Sequence, residues 1–466
     1  MNTKSLKQKI LDLAIRGKLV LQDPNDEPAS VLLQRIRAER EQLIVQGKIK
    51  RTKTTSDNQH YQNVPFEIPA SWEWVKLDEL AQYKKGPFGS SLTKAMFVPE
   101  GADTYKVYEQ KNAIQKDSTL GTYYISTEHF KRLKAFEVQP NDIIVSCAGT
   151  IGETYVLPKD IKRGVINQAL MYVRLYLPII APFYLIYFDF IIKSSSQQDS
   201  KGTAIKNIPP FETLKNYLFP LPPLQEQARI IDEIEKWFTL IDNIEDSKRD
   251  LQEIIKATKS KVLNLAIHGK LVSQDPADEP ASALLARISP HAVPCDTSHY
   301  ENLPTNWTIC TLMDVINLLD NKRKPIKAEE RAKRIQGKTV LYPYYGATGY
   351  VGDIDEYLID GRYILLGEDG APFLDKYATK AYEVNGKIWV NNHAHILSPK
   401  IDFEYLLYYL NAVDYSEYAK GTTRLKLTQG DMNKILIMLP PLNEQRRISE
   451  HITNVFNRLD EISAEL

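Results

Sequence analysis

The chain repeats itself out of order, and this constrains its fold more than any other feature. Residues 7–36 read KQKILDLAIRGKLVLQDPNDEPASVLLQRI and residues 259–288 read KSKVLNLAIHGKLVSQDPADEPASALLARI; at an offset of 252, 22 of 30 positions are identical. A second repeat couples LPPLQEQARIIDEIEKWFTLIDNI (221–244) to LPPLNEQRRISEHITNVFNRLDEI (439–462), with 12 of 24 positions matching at an offset of 218. In mid-chain the two repeats run on as one block, 221–288. The outer copy of that block is cut in two: its first half ends the chain and its second half begins it. Such an arrangement describes a pseudo-two-fold object written from an arbitrary point on a circle, and it suits a two-part target.

The 466 residues allow two to four domains, and an apolar content of 43% supplies ordinary cores. Cys147, Cys295 and Cys310 form no CxxC pair, so no zinc module or disulfide framework is indicated and a cytoplasmic location is expected. No secretion signal is read at the N-terminus. The apolar stretch 175–192 contains Pro178, Pro182 and Asp189, which favours a buried helix over a membrane span. Net charge is zero, yet charge is unevenly placed. Residues 321–338 hold eight basic side chains against Glu329 and Glu330, whereas residues 224–256 hold nine acidic and five basic ones. The first stretch could meet phosphates and the second a protein.

The central block predicts one long helix. Ile230, Ile234, Trp237, Ile241, Ile244, Leu251, Ile255, Val262 and Leu265 follow alternating spacings of four and three, and residues 224–267 contain no Pro or Gly. The rod would be roughly 65 Å long, with Gly269 ending it. The same seam continues in Ile448, Ile452, Val455, Leu459, Ile462 and Leu466, and in Leu6, Ile10 and Leu13. Leu466 matches Lys248 and Met1 matches Glu253, so only positions 249–252 lack a counterpart. Two chain pieces are therefore expected to build a second rod, antiparallel to the first, with a join that about four added residues would close.

Between the rods lie two divergent globules. Each opens on Pro-x-x-Trp (Pro69 to Trp72; Pro304 to Trp307) and has a β-rich middle. Each then has a strand ending in Asn (164–175; 388–397), an aromatic helix and a Lys-Gly-Thr (201–203; 420–422). The expected class is α+β: two α/β globular domains separated by an antiparallel pair of long coiled-coil helices, pseudo-two-fold with circular repeat organisation. Expected boundaries are 1–60 (helical, distal half of the second spacer), 61–220 (first globule), 221–297 (central spacer), 298–438 (second globule) and 439–466 (C-terminal spacer).

LPPLQEQARI and LPPLNEQRRI, the two AI-x-GKLV-x-QDP segments, the Trp-led globule starts, and YGATGYVGDIDEYLIDGRYILLGEDGA with WVNNHAHIL together resemble the specificity subunits of type I restriction-modification systems. The resemblance covers essentially the whole chain, except that the family's usual C-terminal repeat element stands here at the N-terminus. It implies a non-catalytic subunit whose globules recognise double-stranded DNA at a bipartite, asymmetric site. The helices would bind two methyltransferase subunits, with restriction or translocase subunits joining through them and no membrane involved. S-adenosylmethionine, ATP and magnesium would belong to those partners, and none would be bound by this chain. Glu226, Gln227, Arg229, Glu444, Gln445 and Arg447, in the repeated motif, are the expected partner contacts.

No catalytic constellation emerges. Asn207-Ile208-Pro209-Pro210-Phe211 approximates an adenine-methyltransferase loop but has an inserted Ile, and Gly337-Lys338-Thr339 lacks the first glycine of a phosphate loop. His393 and His395 share a strand face but lack an evident third metal ligand. Base readout needs long polar side chains on loops or strand ends. The candidates are Lys84, Lys85, Ser90, Lys111, Asn112, Thr150, Asn167 and Gln168 in the first globule. In the second they are Lys322, Arg323, Lys324, Tyr345, Thr348, Asn392, His393 and Arg424, with Lys322 to Lys324 favoured for phosphate contact. A free-standing DNA-binding regulator and a fused methyltransferase-nuclease remain the alternatives; the missing motifs disfavour the second.

Overall fold

The computed structural model describes residues 2–51, 64–148, 150–198, 211–292 and 303–466, arranged as two compact units, Met1–Glu245 and Asp246–Leu466. Cys295, the Lys201-Gly202-Thr203 element and positions 207–210 of the loop-like motif lie outside the described residues.

In the first unit, a helix at Thr3–Ile15 ends at Gly17, whose φ of +65° lets the chain turn back sharply. A second helix follows at Ala29–Val45. The globule contains β1 (Glu73–Lys76), β2 (Ala81–Lys85), β3 (Phe97–Val98), β4 (Thr104–Tyr108), β5 (Tyr124–Ser126), β6 (Ile143–Ser146), β7 (Thr154–Val156), β8 (Gly164–Ile166), β9 (Leu170–Leu175) and β10 (Leu218–Leu221). Two four-stranded sheets form, β2-β9-β6-β7 and β3-β5-β4-β8, while β1 and β10 pair as an antiparallel clasp from Glu73↔Leu221 to Lys76↔Leu218. The clasp brings the globule's entry and exit together where the long helix, Leu224–Ile267, begins. Its apolar residues join those of the N-terminal helices in one core, which includes Ile10, Ile15, Leu32, Ile36, Trp72, Phe183, Phe219 and Ile230. The apolar stretch read as a buried helix lies at Ala181–Gln198, with Phe183, Tyr184 and Phe188 at most 1% exposed. No helix among the described residues is long and apolar enough to cross a membrane.

The second unit repeats this plan with β11 (Thr308–Thr311), β12 (Ile316–Leu318), β13 (Tyr342–Gly346), β14 (Gly349–Ile354), β15 (Ile359–Gly367), β16 (Ala381–Val390), β17 (Ala394–Pro399) and β18 (Leu436–Leu439). β11 and β18 form the equivalent clasp. The remaining strands make one six-stranded sheet in the order β12-β17-β15-β16-β13-β14. Most of the pairings correspond. β12–β17 matches β2–β9, β15–β17 matches β6–β9, and the parallel pair β13–β16 matches the parallel pair β4–β8. The first globule adds β3 beside β5, and its sheet is interrupted where that of the second is continuous. The ten-residue β16 spans what the first globule splits into β7 and β8, where Pro158 and a polar run break the ladder.

The long helix occupies Leu224–Ile267, 44 residues, and takes up the full predicted span. In the first unit its opening half runs antiparallel to the N-terminal helix: Thr3 bonds Glu245 and Lys7 pairs with Asp242. In the second unit its closing half runs antiparallel to the C-terminal helix, Leu442–Glu465, through Lys259–Asp460 (2.5 Å) and a bond from Lys248 to the Leu466 carbonyl. Lys7–Asp242 and Lys259–Asp460 are the same pair in the two repeats. The seam is less buried than its spacing implies. Ile230, Ile234, Ile241 and Ile255 are buried, but Trp237 is 41% exposed and Ile462 45%. A two-helix pair covers only one narrow stripe of each helix.

Candidate nucleic-acid interface

Each unit is held by the same small set of bonds between the repeated motifs. Arg229 pairs with Asp26 through two bonds (2.5 and 3.1 Å), and Arg447 pairs with the equivalent Asp278 (2.7 Å). Gln227 donates to the Pro222 carbonyl and Gln445 to the Pro440 carbonyl (2.9 and 2.8 Å). Gln22 and Gln274 each donate to the carbonyl of the helix-ending glycine, Gly17 and Gly269. The backbone N–H of Ala29 donates to Ser71, and that of Ala281 to Asn306. A Cβ on Gly17 would lie 2.5 Å from Pro69, and one on Gly269 2.5 Å from Pro304. The Pro-x-x-Trp element therefore seats on the helix-ending turn in both copies.

This clamp corrects one expectation. Glu226, Gln227, Glu444 and Gln445 are at most 4% exposed, and the bonds found for Gln227 and Gln445 run within their own units, so these four are not partner contacts. Arg229 and Arg447 are each engaged with a buried aspartate. Burial pushes the Glu226 carboxyl above its ordinary range, against the pull of the Trp72 indole and the Gln22 amide, which lies 2.7 Å away. Burial raises Glu444 likewise, against the Trp307 indole.

On each globule the loops chosen from sequence converge. In the first, the Asn167 N–H donates to the Tyr108 carbonyl, Gly86 to Leu170, and Cys147 to Ala169 (2.9, 2.9 and 2.8 Å), while the Gln110 amide bonds the Ala148 carbonyl. Segments 84–91, 108–116, 146–148, 150–152 and 167–169 thus form one ridge. Gly86 is required by close approach, since a Cβ there would lie 1.8 Å from the Asn167 carbonyl oxygen. In the second globule, Asn391 donates to Tyr345, Glu368 to His393, Gly370 to Leu425 and Leu427 to Glu368. Segments 322–324, 344–348, 368–369, 391–393 and 424–427 form the corresponding ridge.

Most candidates stand on these ridges. Lys85, Ser90, Thr150, Gln168, Lys322, Thr348 and Asn392 are exposed. Lys84 is half-buried with its ammonium 5.0 Å from the Phe136 ring, and Lys324 is exposed with its ammonium 5.6 Å from Trp389. Lys111 pairs with Glu109 (2.9 Å), and Arg424 with Asp369 (2.7 Å). His393 lies 3.4 Å from the same Asp369, and Tyr345 is half-buried against Tyr350.

Three candidates are corrected. Asn112 is fully buried; its amide donates to the Asp117 and Leu120 carbonyls, and its oxygen accepts the Glu109 N–H, so it builds its loop from within. The Arg323 side chain is 15% exposed and bonds Asp320, Glu368 and the Ala394 carbonyl, which leaves its charge spent inside the fold. Asn167 and Asn391 occupy the same place after the parallel strand. Each oxygen accepts the N–H two residues on, from Ala169 and His393 (3.0 and 2.8 Å), closing an Asx turn. The next residues, Gln168 and Asn392, are the outward tips of those turns.

Sequence reasoning missed the network behind the second ridge. His395 is buried, with one ring nitrogen 2.6 Å from Asp320 and the other 3.0 Å from the Leu427 carbonyl. Asp320, Glu368 and His395 could each offer one atom to a metal, all within 4.8 Å of one another. Arg323 and Lys426 already neutralise this acid pair. Burial pushes Glu368 up, but Arg323, His395 and Lys426 outweigh it and hold the carboxyl below its ordinary range. The sequence shows His395 beside His393, but its partners Asp320 and Glu368 lie 75 and 27 positions away and leave no local signal.

Two α+β heads, each carrying a ridge of polar and basic loops and each clamped to a helix by the same bonds, define a two-headed recognition protein. Residues 69–253 and 304–466 match the family described as type I restriction modification DNA specificity domain. The chain belongs to that family of type I restriction-modification specificity subunits. It is 26% identical to the EcoEI specificity subunit of Escherichia coli over 99% of this chain and 90% of that one. It is 30% identical to the Escherichia coli EcoAI specificity subunit over 68% and 63%, respectively. A solved structure described as the basis of complex assembly and conformational transition of the type I R-M system shares the fold. Its TM-score is 0.51 at 19% identity, covering 86% of this chain and 94% of that chain.

Proposed function

We propose that the two ridges read two different half-sites of one bipartite, asymmetric DNA target, and that the helical frame carries two methyltransferase subunits. The reading rests on one observation above all: the frame bonds recur pair by pair, while the ridges they carry differ in sequence and in strand layout. Equal frames suit identical partners, and unequal heads suit a site that is not a palindrome. Restriction subunits would join through the methyltransferases, which would also hold S-adenosylmethionine, ATP and magnesium. The partner surface shifts from the buried motif to the outer face of the long helix, where Trp237 and Leu240 are 41% and 50% exposed among acidic residues.

Co-expression with the methyltransferase subunit of the same system, followed by single-molecule methylation mapping of the host genome, tests this. The expected result is one methylated motif of two unlike half-sites separated by a fixed gap. A palindromic or uninterrupted motif overturns the two-reader arrangement. Tight sequence-specific binding by the chain alone, with no methyltransferase co-purifying, would favour a free-standing regulator.

A further inference from the structure

The first ridge carries one residue that no polar-readout argument accounts for. Phe88 is 88% exposed, the most exposed aromatic among the described residues. It stands just before a short 3-10 turn, Gly89–Ser91, in the loop that leaves β2. Its position is not loose. Pro87 before it is buried, and Gly86 is wedged against the Asn167 carbonyl and bonded to Leu170. The exposed ring is therefore carried by a loop anchored at its base beside the Asx turn of Asn167. Residues 81–99 contain Lys84, Lys85 and Lys94 and no acidic residue, so the surroundings favour a polyanion.

The second globule shows what the same loop does with its apolar residue when it can bury it. The run Lys84-Lys85-Gly86-Pro87-Phe88 begins in the last two residues of β2, and the similar run Lys322-Arg323-Lys324-Pro325-Ile326 lies in the loop that leaves the equivalent edge strand, β12. Ile326 folds inward onto Tyr344, Ile354 and Trp389. Phe88 finds no such cover. An exposed phenylalanine on a basic, anchored loop matches the apolar wedges with which DNA-binding proteins open a base step.

We propose that Phe88 is such a wedge: it stacks into a base step at the half-site read by the first globule and unstacks it locally. The proposal rests on the two-reader function above and adds a contact through base stacking rather than hydrogen bonding. Steps that unstack cheaply, pyrimidine followed by purine, would be preferred at that place. The second half-site would lack the distortion, because Ile326 is turned inward.

The test uses the full chain in complex with its methyltransferase subunits and the motif found by methylation mapping, with 2-aminopurine placed step by step through each half-site. Wild-type complex should raise 2-aminopurine fluorescence at one step in the first half-site and at none attributable to the second loop. Phe88→Ala should abolish that rise and weaken specific binding about tenfold, with non-specific binding and methyltransferase co-purification unchanged. Phe88→Trp should restore both, with its own emission quenched by DNA. Unchanged affinity and fluorescence in Phe88→Ala would overturn the proposal, as would loss of the methyltransferase, which would make Phe88 a protein contact. If the wild-type complex shows no sequence-specific binding at all, the two-reader function itself fails and the wedge falls with it.

Discussion

Glu226 and Glu444 show how a residue can be prominent in a sequence for reasons other than contact with a partner. Their repeated motif suggested an outward surface, yet both are buried beneath the Trp-led turns. Burial raises both carboxyls above the ordinary glutamate value of 4.5. The folded chain therefore binds more protons than the unfolded chain between that value and the raised one, and stability falls as pH rises through this window. Glu226→Gln with Glu444→Gln should flatten that decline in urea melts taken from about pH 4.5 upward, with little loss at neutral pH; an unaltered pH profile would show the carboxyls are not its source. Arg323 and Lys322 make a second contrast. Arg323→Ala, which strips the partner from Glu368, should destabilise the fold by about 2–3 kcal/mol in urea denaturation. Lys322→Ala should cost under about 0.5 kcal/mol and instead reduce the salt slope of DNA binding by roughly 0.9. Neighbouring basic residues looked alike in sequence because the acids that claim Arg323 lie 3 and 45 positions away. Asn112 is hidden in another way: its partners are backbone groups of its own loop, which no side-chain pattern records.

Elements were more legible than residues. The long helix runs from Leu224 to Ile267 because no Gly or Pro interrupts it and Gly269 follows it. The correspondence of the two globules was also visible, because Pro-x-x-Trp and the strand-ending Asn have the same neighbours in space. The clasps β1–β10 and β11–β18 were not legible. Each is four residues long, and its strands meet across 148 and 131 positions at their outermost pairs, Glu73↔Leu221 and Thr308↔Leu439. The helix seam was overread at Trp237, since spacing shows which side is apolar but not whether a neighbour covers it. If the helix sets the distance between the two readers, inserting one turn of four residues near Arg249, about 6 Å, should lengthen the gap in the methylated motif. Methylation mapping that returns the original gap would reject the helix as a ruler.

Across the whole molecule, each globule is an insertion whose entry and exit are closed by a two-strand clasp. Exchanging residues between Glu73 and Leu221 for those of a relative should therefore change one half-site and leave the other intact. A change in both halves of the mapped motif would show that the heads are coupled. The N-terminal helix has a further consequence, in time rather than space. Thr3 bonds Glu245, 242 positions later. At about 5–20 residues per second of synthesis, that helix must wait on the order of 10–50 s for the stripe it covers. Its near-copy at 259–267 emerges moments after that stripe but is the same continuous helix, so it cannot fold back to take the place. A copy on another nascent chain has no such bar. Crowded ribosomes translating one message would favour intertwined dimers, and a chaperone that shields residues 3–15 until the central helix appears would raise the yield of correctly closed chains.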